Sequence, residues 1–175
     1  MTATLLLTVI GPNRPGLVES LSRTVADHGG NWLDSRMANL AGYFTGMVLV
    51  GIAGDNVAAL ARALDDLAGQ GLRVTVERGL PPAAGRQDRV LHLELVGQDR
   101  PGIVRDVART LAALNIDVDE LHTQVTEASW TGEALFHASA ELHVPQDIST
   151  ERLRRALEGL ANELMVDIRL EDLPP

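Results

Sequence analysis

Along the first half of the chain, apolar residues switch between two spacings, and the switches mark its elements. Leu5, Leu7 and Val9 alternate with Leu6, Thr8 and Ile10, the period-two signature of a strand with one face more polar than the other. After Gly11-Pro12-Asn13-Arg14-Pro15-Gly16, the residues Leu17, Val18, Leu21 and Val25 recur at helical spacing and stop at His28-Gly29-Gly30, where a glycine pair terminates the helix. Two strands follow, Asn31 to Asn39 and Tyr43 to Ala53, joined by the tight connection Leu40-Ala41-Gly42. Val57, Leu60, Ala61, Leu64 and Leu67 then share one face of an amphipathic helix, and Leu72 to Glu77 reads as a last strand. The predicted order is βαββαβ.

The second half repeats that order. A strand over Arg89 to Val96 leads into a helix with Ile103, Val107, Leu111 and Leu114 inward. Strands near Ile116 to Glu127 and Ala134 to Val144 follow, then a helix from about Ser149 burying Leu153, Ala156, Leu157 and Leu160, and a strand from Met165 to Leu170. The repetition extends to identity: Leu7-Thr8-Val9-Ile10-Gly11-Pro12-Asn13-Arg14-Pro15-Gly16-Leu17-Val18 aligns without gaps on Leu93-Glu94-Leu95-Val96-Gly97-Gln98-Asp99-Arg100-Pro101-Gly102-Ile103-Val104. Such a match implies duplication. The segment around Pro81-Pro82-Ala83-Ala84-Gly85 breaks both helix and strand, so the expected organisation is a first domain at 1–79, a linker at 80–88 and a second domain at 89–175. The expected fold class is α+β, two ferredoxin-like (βαββαβ) units, each an antiparallel sheet with helices on one face.

Composition narrows the chemistry. The chain lacks cysteine, which removes thiol nucleophiles, disulfides and cysteine-ligated metals. No apolar run reaches bilayer length and the start lacks the basic segment of a secretory signal, so a cytoplasmic location with no membrane contact is expected. The formal charge of −9 is uneven: 1–88 holds 7 Arg against 8 acids, and 89–175 holds 8 Arg against 16. A surface this acidic repels phosphate, so no direct nucleic-acid partner is expected.

Each Arg-Pro-Gly stands between the first strand and first helix of its half, with proline expected in the first helical turn. The first amides of a helix have no intrahelical acceptors and lie at the positive end of the macrodipole, which suits a carboxylate such as that of an amino acid. The competing reading is that Asn13 and Asp99 cap the two helices and the glycine serves only the turn.

The segment Gly-Pro-Asn-Arg-Pro-Gly-Leu-Val, with its helix ending in His28-Gly29-Gly30-Asn31-Trp32, resembles the ACT domain motif. Two such units, together with Asn31-Trp32-Leu33-Asp34-Ser35-Arg36-Met37 and Gly42-Tyr43-Phe44-Thr45-Gly46, resemble the family of glycine cleavage system transcriptional repressors across nearly the whole chain. That resemblance implies a non-enzymatic regulator without cofactor, which responds to a small amino acid, glycine or serine, and acts on a protein partner such as a transcriptional activator. It also implies ligand contacts at Asn13 and Asn31, placing the expected site near Asn13, Arg14, Pro15, Gly16, Leu17 and Asn31. The matching positions of the second half are Asp99, Arg100, Gly102, Ile103 and Asp117. There the two aspartates replace asparagines and oppose a second carboxylate, so the first site is the stronger expectation. The alternatives are a ligand-free interaction scaffold and a regulatory subunit of a separate enzyme of amino-acid metabolism, and a homodimer is compatible with each.

Other constellations carry less. Strand parity turns His92, His137 and His143 to the open sheet face with Glu94 and Glu141, but no close-spaced metal-ligand motif accompanies them. Ser20, Ser22, Ser35, Ser129 and Ser139 fall outside any nucleophile-elbow pattern, so no catalytic residues are assigned. Trp32 is expected in the core or an interface. Tyr43, Thr45, Met47, Leu49 and Leu6 share the open face of the first sheet, which is apolar enough to predict a covering neighbour.

Overall fold

A computed structural model describes residues 1–80, 89–127 and 132–172. Among the described residues, eight strands and four α-helices follow one another as β1 (Thr2–Pro12), α1 (Leu17–Asp27), β2 (Asn31–Leu40), β3 (Tyr43–Ala53), α2 (Val57–Asp66), β4 (Arg73–Arg78), β5 (Arg89–Gln98), α3 (Ile103–Ala113), β6 (Asp117–Glu127), β7 (Ala134–Val144), α4 (Thr150–Leu164) and β8 (Val166–Asp172). The chain divides into compact units at Met1–Pro82 and Ala83–Pro175, and each is a βαββαβ fold. Most of the expected linker, residues 81–88, lies outside the described residues, as does Ser129.

Each unit has one four-stranded antiparallel sheet, ordered β2-β3-β1-β4 in the first and β6-β7-β5-β8 in the second. Period-two burial follows the alternation read from the sequence. Leu5, Leu7 and Val9 are buried, as are their β3 partners Val50 and Val48. The helices bring Leu17, Leu21, Val25, Leu60 and Leu64 onto that face, making one continuous core in the first unit. In the second unit the core breaks into two clusters, one around Leu142 and Leu153 and the other around Leu95, Ile103 and Phe136.

The β2–β3 hairpin turns on Ala41 and Gly42, both at positive φ (51° and 80°), the geometry of a two-residue primed turn. Met165, expected to open the last strand, instead ends α4 in the left-handed conformation (φ 53°). Ser149 starts α4 by accepting the Arg152 backbone N–H at 3.2 Å. Ser149→Ala should therefore lower the stability of the second unit by about 0.5–2 kcal/mol in urea unfolding, with no change in slope. Among the described residues, no helix is long and apolar enough to cross a membrane.

Candidate functional site

Both glycines of the repeated Gly-x-x-Arg-Pro-Gly segment are required by the backbone, for different reasons. Gly11 lets the end of β1 pass the turn before β4, since a Cβ there would strike the Gly71 carbonyl oxygen. Gly97 plays the same part against Val166 in the second unit. Gly16 and Gly102 sit in the left-handed region (φ 89° and 98°) and are themselves the N-cap residues. The expectation that proline occupies the first helical turn is corrected accordingly: Pro15 precedes the cap, and Leu17 is the first helical residue. Asn13 and Asp99 do not cap either helix. Their backbone N–H groups extend the sheet by donating to the carbonyls of Gly42 and Ala134, each at 2.8 Å.

At the start of α1 the Ser20 N–H donates to the Gly16 carbonyl at 2.9 Å and begins the helical ladder. No side chain caps the helix, so the preceding amides keep their donors at the positive end of the dipole. The space that a Gly16 Cβ would enter is open, with nothing within 4 Å. Arg14 is held to one side, donating from Nη2 to the Gln70 carbonyl at 2.8 Å.

The start of α3 has the same backbone but different surroundings. The Arg105 Nη2 lies 3.1 Å from where a Gly102 Cβ would sit. Arg105 Nε donates to Asp106 Oδ1 at 2.9 Å, Arg109 adds a contact at 3.6 Å, and the Asp106 side chain is only 14% exposed. The hydrogen bond from Arg105 is the main cause that lowers the Asp106 pKa, and the charges of Arg105, Arg109 and Arg100 act in the same direction against partial desolvation. Both helix starts have an acidic residue in the first turn, but Glu19 of α1 points outward to Arg23 whereas Asp106 is largely buried, a stronger reason than Asp99 and Asp117 to rank the second start lower. Because the folded pKa lies below the unfolded one, Asp106 favours the folded unit above the ordinary carboxylate range and loses that contribution as pH falls through the lowered value. Thermal melts run between about pH 5 and 2 should show this acid limb for the second unit, and Asp106→Asn should flatten it.

The strands separate the remaining expected residues from these helix starts. Asn31 opens β2 opposite Gly51, which pairs with Thr4 at the beginning of β1. Pro12, where β1 ends beside the helix start, is eight residues further along, about 26 Å of strand. Asp117, opposite His143 and Val90, stands at the same far end of the second sheet. Neither Asn31 nor Asp117 is brought to the helix start of its own unit, because α1 and α3 carry the chain back the length of the sheet before β2 and β6 begin.

His92, His137 and His143 do share the open face: His92 Nε2 lies 3.7 Å from Glu94 and His143 Nε2 lies 3.8 Å from Asp119. Among the described residues no three histidines or carboxylates gather closely enough to hold a metal. On the first sheet's open face Tyr43 and Met47 are about half exposed, and Trp32 packs on the core from the helix side. The sequence reading missed Arg105 and Asp106, although an adjacent cation and anion in the first turn after Gly102 were there to be read.

Comparison with known proteins bears on the whole arrangement. The ACT domain family matches residues 3–77 and again 92–162. The glycine cleavage system transcriptional repressor of Escherichia coli (strain K12) is 25% identical over 166 residues, covering 91% of this chain and 85% of that protein. Phosphoserine phosphatase SerB2 of Mycobacterium tuberculosis is 31% identical over 172 residues, 95% of this chain but 40% of the phosphatase. A crystal structure of an unknown protein from Galdieria sulphuraria superposes with a TM-score of 0.88 at 28% identity, covering 99% of this chain and 100% of that one. The glycine-started helices, the two sheet orders and these matches together make the chain a member of the ACT domain family, a tandem ACT protein distantly related to the glycine cleavage system transcriptional repressor.

Proposed function

We propose that this protein is a non-enzymatic, amino-acid-responsive regulator in which the start of α1 receives the carboxylate of a small amino acid, glycine or serine. The observation that carries the reading is the uncapped helix start with open space over Gly16. Asn13, Arg14, Pro15, Gly16 and Leu17 frame the ligand, and bare amides at a helix N-terminus provide donors and a favourable field for its carboxylate. Asp99, Arg100, Gly102 and Ile103 form the weaker counterpart. Asn31 and Asp117 lie outside the helix-start site of their own unit, since each is held at the other end of its sheet. Regulation then passes to a protein partner such as a transcriptional activator, in keeping with the name of the Escherichia coli relative and with a formal charge of −9 that disfavours nucleic acid.

A scaffold reading for the second unit is favoured by one observation, the Arg105–Asp106 pair that already lies against Gly102. A thermal-shift screen of amino acids, with glycine and serine included, tests the sensing reading. A ligand that selects the folded state raises Tm in step with its concentration. A flat response to all of them removes the sensor and leaves the scaffold.

A further inference from the structure

The two sheets are built on one plan, yet the faces turned away from their helices differ in kind. Strand register matches them position by position: Leu6 corresponds to His92, Met47 to Ser139 and Leu49 to Glu141. Polar residues at all three positions of the second sheet show that the fold itself does not require apolar ones there. In the first unit the two central strands, β1 and β3, carry Leu6, Ile10, Tyr43, Met47 and Leu49 on that face, and Ile10, Tyr43 and Met47 are 37%, 50% and 49% exposed. Thr45, among them, donates its hydroxyl to the Val9 carbonyl at 3.1 Å, so its polar group is satisfied within the sheet. An apolar centre bordered by charged edge strands has the anatomy of a protein interface.

The charges at the border specify the partner. Strand pairing arranges the face in rows that run across the sheet from β2 to β4. One row is Asp34, Leu49, Leu6 and Glu77, the next is Arg36, Met47, Thr8 and Thr75, and the third is Ala38, Thr45, Ile10 and Arg73. Acids end the first row and a cation ends the third, on opposite sides of the Met47 row. A second copy turned about a two-fold axis along the Met47 row keeps each strand over its own equivalent and exchanges the first and third rows. Glu77 of each copy then meets Arg73 of the other, twice by symmetry. Aligned sheets stack about 10 Å apart, a gap that an arginine and a glutamate span together. Arg36 falls on the axis but is already held by Asp34 at 3.0 Å, so the copies present ion pairs to each other there rather than bare cations. Rotation about the strand direction would instead stack Asp34 on Glu77, like charge on like. Four strands about 4.8 Å apart and four outward residues about 6.8 Å apart along each make a face of roughly 500 Å², so a pair buries about 1,000 Å², the lower end for a specific interface.

We infer that two copies of the chain associate, with or without ligand, by packing the open faces of their first sheets together about a two-fold axis that crosses the strands at Met47. The second sheet, with His92, Ser139 and Glu141 in the corresponding places, keeps its open face in water.

Sedimentation velocity of the full chain tests this. An interface of that size should give a micromolar dimer, so the mass should move from one chain to two across roughly 1–100 μM. Met47→Glu sets two carboxylates against each other on the axis and should weaken association at least about tenfold. Ser139→Glu, the same change at the corresponding position of the second sheet, should leave association unaltered. Arg73→Glu and Glu77→Arg should each weaken it about tenfold, and the double exchange should restore it, which a general loss of stability would not do. Met47, Arg73 and Glu77 are all exposed, so their variants should melt close to the parent. A parent that stays monomeric throughout overturns the inference and leaves the face to a partner of another kind. A dimer that Met47→Glu leaves intact, or that the double exchange fails to repair, overturns it as well.

Discussion

Replacing Gly11 by valine will lower the stability of the first unit by about 2–4 kcal/mol, a large share of the 5–15 kcal/mol that typically holds a domain together. The new Cβ meets the Gly71 carbonyl oxygen, with the Gly71 carbonyl carbon and Leu72 Cα both at 3.3 Å. All three are backbone atoms, so no side chain can rotate away. Relief requires β1 to separate from the turn that leads into β4, where Leu72 is 1% exposed, so the damage extends into the core. Gly69→Ala is the matched control: nothing lies within 4 Å of its added Cβ and its backbone is not left-handed, so unfolding in urea should be within about 0.5 kcal/mol of the parent.

Gly16→Ala will have a larger effect on ligand than on fold. Its Cβ has no protein neighbour to strike, so the structural penalty is the left-handed φ of 89°, about 1–2 kcal/mol for a residue with a Cβ. That methyl occupies the open space through which a carboxylate would approach the amides of α1. Losing one or two hydrogen bonds to a charged group corresponds to about 10–100-fold weaker binding of glycine or serine. The same change at Gly102 should leave that binding intact, because the helix start there is already attended by Arg105 and Asp106.

Much of the fold was legible in the sequence because the two periodicities are clean. Leu5, Leu7 and Val9 alternate with residues that are not buried, and Leu17, Leu21 and Val25 return every four residues to the same core. The ends of β3 and β7 fall where the patterns stop, at Ala53 and Val144. Helix starts were harder to read, since Asn13, Pro15 and Gly16 each suit a cap or a first turn and only the backbone angle decides among them. The residues nearest the helix start were identified from the motif, but Asn31 was grouped with them by its place in the motif rather than by strand direction. An eleven-residue helix running back along the sheet puts the next strand's first residue at the far end. The division of the second core was illegible for another reason: that Val118 stands at the register position of Trp32, and Thr123 at that of Met37, is visible only once the strands are paired.

Calorimetric titration of glycine and of serine into the parent protein, Gly16→Ala and Gly102→Ala probes the sensing claim at its origin. The expected result is saturable binding of at least one of the two amino acids to the parent and to Gly102→Ala, with the heat lost or the affinity reduced at least about tenfold in folded Gly16→Ala. Absence of heat with the parent, or equal affinity in all three proteins, would contradict the assignment of the α1 start as the amino-acid site.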